Sequence, residues 1–119
     1  MIEFFVAQTL PHDIKVVRLT GELNSETADY FFGCMDELID AGTRRMIIDC
    51  RDLKFMSSMG LAMLLRAHHR LARHGGDVKL AYVESAVAKV LETVRLDRVL
   101  DIYPTVIEAQ AAFGPPPGR

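Results

Sequence analysis

The sequence predicts an α/β domain: a mixed, mostly parallel sheet of four to five strands with an N-terminal hairpin, covered by about four helices. Three observations carry this. Residues 2–9 and 14–20 are rich in β-branched and aromatic types and are separated by Pro11, His12 and Asp13, the pattern of a hairpin with a short loop. Beyond them, short apolar runs alternate with stretches whose apolar residues recur at spacings of three and four. Alternation of this kind implies parallel strands joined by helical crossovers.

Each element has its own signal. In "NSETADYFFGCMDELIDAG" the apolar residues fall at 28, 31, 32, 35, 38 and 39, one stripe of a helix. Asn24 or Ser25 can cap that helix and Gly42 can end it. "RRMIIDC" (44–50) is an apolar run of strand length, and "RDLKF" reads as its exit loop. A second helix follows, with Leu61, Leu64, Leu65, His68, Leu71 and Ala72 along one face and Arg70, Arg73 and His74 in its last turn, where positive charge is favoured. Gly75 and Gly76 terminate it, and "DVKLAYV" (77–83) is the next strand. Ser85 caps a third helix, a short extended piece lies near Leu100–Tyr103, and Pro104 and Thr105 open a fourth helix that runs to Phe113. The domain therefore spans 1–113. The remainder, 114–119 ("GPPPGR"), cannot hold a helix and is expected to be a disordered tail.

Composition narrows the function. A chain of 119 residues has the length of one domain with one core. A net charge of −2 provides no basic surplus for nucleic acid and no polybasic segment for a membrane surface. The longest apolar runs are too short to span a bilayer. The N-terminus lacks the basic region of a signal peptide, so a cytoplasmic location is expected. Cys34 and Cys50 have no metal-binding spacing and read as small apolar residues. Residues 2–9 form an exposed edge in this reading, and a second copy of the chain could pair with it unless the edge is short or charged.

Motifs for small-molecule chemistry are missing. The chain has no GxGxxG, GxxxxGK[ST] or GxSxG. His12, His68, His69 and His74 have no ligand geometry, and no cofactor is implied. Asp49 and Asp52 flank the end of a strand, where α/β proteins place their sites. They could hold magnesium for a nucleotide, or they could simply cap a loop.

The segment "KFMSSMGLAML" (54–64) holds two adjacent serines at a helix start. One hydroxyl suffices as a cap, at a value of about 1 kcal/mol. The other could be incidental, or it could carry a phosphate, because a helix N-terminus tolerates negative charge well. Met56, Met59 and Met63 lie close by in sequence, as core filler or as an adaptable contact surface.

Three stretches in order resemble one family. "VVRLTGELNSETAD" is similar to that family's "GELD…TA" strand, turn and first helix. "RRMIIDCRDLKFMSSMGLAMLL" is similar to its strand, loop and phosphoacceptor helix, usually "DSSGL" or "SSAGL". "VLETVRLDRVLDIYPTVIEAQAAF" is similar to its "GLD…IYPS…EA" segment. The chain thus resembles a stand-alone STAS domain of the anti-sigma factor antagonist family over nearly its whole length.

The resemblance implies a binding protein and not an enzyme. In that family the unphosphorylated protein binds an anti-sigma factor with serine kinase activity, which frees a sigma factor. Phosphorylation ends the complex, and a PP2C-type phosphatase resets it. The phosphoacceptor falls on Ser58, two before the glycine, with Ser57 as the alternative acceptor and the better-placed cap. The implied partner surface comprises Asn24, Ser25, Lys54, Met56, Ser57, Ser58, Met59, Gly60, Met63 and Arg66. The sequence departs from the family pattern at Asn24, Ser57, Met59 and Arg95, and the first three of these lie on or near that surface. The alternative function is an accessory STAS subunit of an ABC-type lipid or anion transport system, acting without phosphorylation.

Overall fold

The computed structural model describes residues 1–114, so the predicted tail lies outside the described residues beyond Gly114. Strand β1 (Ile2–Leu10) pairs antiparallel with β2 (Ile14–Leu23). His12 and Asp13 at the hairpin tip both take the left-handed conformation, with φ of +67° and +57°. Asp and His are among the non-glycine residues that visit this region most readily. The sheet continues with β3 (Arg45–Met56), β4 (Asp77–Ala81) and β5 (Asp101–Tyr103), all parallel to β2, in the spatial order β1-β2-β3-β4-β5.

Helices α1 (Ala28–Asp40), α2 (Ser58–Arg73) and α3 (Ser85–Thr93) cover one face of this sheet, and α4 (Val106–Phe113) covers part of the other. Under α1–α3 lies the main core, centred on Phe31, Met35, Leu53, Leu64, Leu71 and Leu91. Under α4 is a smaller cluster of Ile14, Val16, Ile47, Ala81, Val106 and Ala109. The predicted fold class is the one observed: among the described residues, a five-stranded mixed sheet, an opening hairpin and four α-helices.

Local corrections have physical causes. "RDLKF" is strand and not loop, because β2 also runs on to Leu23 and keeps the ladder paired as far as Leu23–Met56. Leu53 and Met56 then point into the core while Lys54 and Phe55 face solvent. Helix α1 starts later than its cap signal. The Asn24 side chain accepts from the backbone N–H of Glu26 (2.9 Å) and Thr27 (3.2 Å), closing a turn that leads into the helix. The hydroxyl of Thr27 accepts from Asn24 N–H (2.9 Å) and donates to Glu22 O (2.8 Å), bracing that turn against β2. Ser85 is the first helical residue of α3 and not its cap. The buried stripe of α2 is Gly60, Leu61, Leu64, Ala67 and Leu71, and Ala72 is exposed.

Arg95 ends α3 in the left-handed conformation at φ +60°. It occupies the position where the related pattern has glycine, the residue that adopts this geometry without steric cost.

Candidate functional site

The C-terminal ends of β2 and β3 and the first turn of α2 meet at one end of the sheet. The two serines have different roles there. Ser57 is extended (φ −88°, ψ 172°), and its Oγ accepts from Gly60 N–H at 3.1 Å. Its own N–H donates to Leu23 O at 2.8 Å. Ser57 thus caps α2 and ties the cap to β2, as expected of an N-cap serine.

Ser58 is the first residue of α2. It is exposed, and its hydroxyl has no hydrogen-bond partner among the described residues. Gly60 is buried, and a Cβ there would lie 2.5 Å from Leu23 O and 2.7 Å from Leu23 Cγ. The close approach lets the first turn of α2 rest directly on the end of β2, which fixes where Ser58 stands. The requirement is one of packing and not of backbone conformation.

The other predicted surface residues divide. Ser25, Lys54, Met59 and Arg66 are exposed, with Met59 at 47 %. Lys54 Nζ donates to Glu84 at 2.8 Å, which holds the α3 start to the end of β3 and raises the lysine pKa. The Arg66 guanidinium stacks on Phe32, 4.5 Å from the ring centroid. Met63 is half-buried against the core. Asn24 is half-buried and its side chain is committed to the turn before α1. Two assignments are corrected: Met56, 4 % exposed, and Gly60 face inward and present no side chain to a partner. Both close the floor beneath the serines. In their place the structure adds Phe55, 49 % exposed. Its position follows from the register shift between Gly21 and Glu22, which passes over Lys54 and turns Phe55 away from the face that Leu53 occupies.

Asp49 is buried and clamped. Arg18 Nε lies 3.3 Å and Arg51 Nη2 3.0 Å from Oδ2, and Arg51 N–H donates to Oδ1 at 3.1 Å. Asp52 meets Arg18 Nη1 at 3.4 Å. The carboxylates considered for magnesium are thus engaged by guanidinium groups. No group of three or more His, Cys, Asp or Glu side chains placed to hold a metal occurs among the described residues. Nor, among those residues, is any helix long and apolar enough to cross a membrane.

A strand end, a half-buried serine cap and an exposed second serine thus meet at this helix start. The profile described as STAS domain matches residues 6–109. The chain belongs to the STAS family. A relative of this STAS domain from Paenibacillus polymyxa, the anti-sigma F factor antagonist, is 29 % identical over 97 residues, covering 81 % of this chain and 83 % of its own. The crystal structure of an anti-sigma factor antagonist from Mycobacterium paratuberculosis superposes with a TM-score of 0.83 at 21 % identity, over 94 % of this chain and 93 % of that one. The Bacillus cell fate determinant SpoIIAA, solved in its phosphorylated form, superposes with a TM-score of 0.70 at 22 % identity, over 93 % and 99 % of the two chains. At such identities the structures establish a shared STAS fold.

Proposed function

We propose that this STAS domain is an anti-sigma factor antagonist switched by phosphorylation of Ser58. Unphosphorylated, it binds an anti-sigma factor that is also a serine kinase, and a sigma factor is released. Phosphate on Ser58 ends the complex, and a PP2C-type phosphatase restores it. The observation that carries the reading is the division of labour at the α2 start: the hydroxyl of Ser57 is committed to Gly60 N–H, while that of Ser58 is exposed and uncommitted.

Further support comes from the chemistry of the position. A phosphoserine carries a charge of about −1.5 to −2. The positive end of the α2 dipole accommodates it within the fold. A partner seated over Met59, Phe55 and the exposed α2 residues would have to desolvate that charge, so docking fails while folding does not. The relative from P. polymyxa bears the name of such an antagonist, and SpoIIAA is known in a phosphorylated form.

The test is phosphosite analysis of the protein isolated from its own cells together with its co-purifying partners, followed by binding measurements on Ser58→Asp. Phosphate on Ser58, and a Ser58→Asp chain of unchanged stability with at least about tenfold weaker partner binding, are the expected results. An unmodified protein bound to a transporter ATPase, or normal binding by Ser58→Asp, overturns the switch.

A further inference from the structure

Helices α1 and α2 pack together and carry opposite charge. Asp29, Asp36, Glu37 and Asp40 stand on α1, which has no Lys or Arg. Arg66, Arg70 and Arg73 stand on α2, which has no Asp or Glu. Arg70 is neutralised by Asp36 and, at 2.8 Å, by Asp40. Arg66 and Arg73 are exposed and form no ion pair among the described residues. Two positive charges therefore stay uncompensated on a chain whose net charge is −2.

These two arginines belong to a ridge. Met59, Ala62, Arg66, His69 and Arg73 follow at spacings of three and four, all exposed, opposite the buried stripe of α2. At 1.5 Å per residue the ridge runs about 21 Å, from the serines to the last turn. Phe32 occupies the face of the Arg66 guanidinium and leaves its edge N–H groups, which match a carboxylate. Beside the ridge, Phe32, Asp36, Arg66, Arg70 and Arg73 line a cleft of about 190 Å³ between the helices.

We propose that this ridge seats an acidic segment of the partner, whose Asp or Glu side chains pair with Arg66 and Arg73. The inference rests on the reading of the chain as an anti-sigma factor antagonist and states the chemistry of the anti-sigma factor's contact. Charge complementarity selects the occupant. With four carboxylates on α1 against three guanidiniums on α2, a broad polyanion such as nucleic acid or an acidic membrane meets net repulsion. A narrow acidic segment along the ridge meets the arginines alone. Ser58 stands at the head of the ridge, so a phosphate there repels the same segment.

The test uses the full chain and the purified anti-sigma factor that co-purifies with it. The double variant Arg66→Glu/Arg73→Glu should bind at least about tenfold more weakly, with a smaller salt dependence. Arg66→Gln/Arg73→Gln should fall between it and the wild type. Arg98→Glu, exposed beyond α3, should bind normally. Unfolding curves confirm that each variant is folded. In Arg66→Lys/Arg73→Lys, a carbodiimide should join the substituted side chains to Asp or Glu of the partner. Normal binding by both double variants overturns the ridge, and so does coupling to no partner carboxylate. Arginine-dependent binding of a 20-nucleotide single-stranded DNA or of phosphatidylserine vesicles in place of the protein also overturns it. Ser58→Asp, measured on the same partner, separates the two ideas. Binding lost with Ser58→Asp but kept by the arginine variants leaves the switch and removes the ridge, and the reverse pattern removes the switch and leaves the ridge.

Discussion

The two faces of the sheet are closed by different means. Beneath α1, α2 and α3 the contact is hydrocarbon, with Phe31, Met35, Leu53, Leu64 and Leu71 all essentially inaccessible. On the other face α4 covers only one end, and where the helix stops the sheet is roofed by Arg18 and Arg51 laid over Asp49, with Arg51 also stacked 4.2 Å from the Tyr82 ring centroid. Hydrocarbon packing is close and intolerant of lost volume. A partly solvated guanidinium roof is adjustable, because its members can turn to water. The candidate partner surface stands on the first kind of support: Leu23, Met56 and Leu61 lie under the serines, which makes the position of Ser58 rigid.

This contrast can be broken from either side. The largest effect is expected from Phe31→Ala, which removes a fully buried ring from the main core and the Phe4 contact with it. Urea unfolding should show a loss of about 3–5 kcal/mol. Asp49→Ala takes the anion from beneath two arginines. Breaking a fully buried pair costs about 3–5 kcal/mol, but Arg18 and Arg51 retain 30 % and 45 % side-chain exposure and can rehydrate. The expected loss is therefore about 1–2 kcal/mol, and a loss equal to that of Phe31→Ala would show that both faces are equally rigid.

The smallest effect concerns the Cys50 thiol, which lies in the main core. Burial, and to a lesser degree the neighbouring Asp49, push its pKa from the ordinary 9.0 up to about 12. Below pH 9 the thiol is neutral in both the folded and unfolded chains, and its favourable contribution is fully present. Between pH 9 and 12 the unfolded chain ionises while the folded thiol stays neutral, so stability falls as pH rises. At pH 10 the wild-type chain should have lost about 1 kcal/mol more than Cys50→Ala has, each relative to its own stability at pH 8. Parallel pH profiles for the two proteins would show that water reaches Cys50.

Much of this architecture was legible in the chain. The hairpin, the α1 stripe and the Thr105 start of α4 follow from local period and capping, and Thr105 Oγ1 indeed accepts from Glu108 N–H at 3.1 Å. The continuation of β3 through Met56 was not legible, because "RDLKF" is polar enough for a loop and becomes strand only through the matching extension of β2. The same error concealed Phe55 and made Met56 look available. For Gly60 the motif marked a position, and only the approach of Leu23 O shows that its lack of a side chain is what matters.

By itself, then, the sequence determined the order and type of the elements, the family, and the pair of serines at a helix start, because periodicity, capping chemistry and motif spacing act over a few neighbouring residues. Tertiary structure alone decided that Met56 and Gly60 turn inward, that Phe55 stands exposed, and that Asp49 is held by arginines from two strands. Each of those depends on atoms brought together from distant parts of the chain, and burial and hydrogen-bond partnership exist only once the strands and helices have packed.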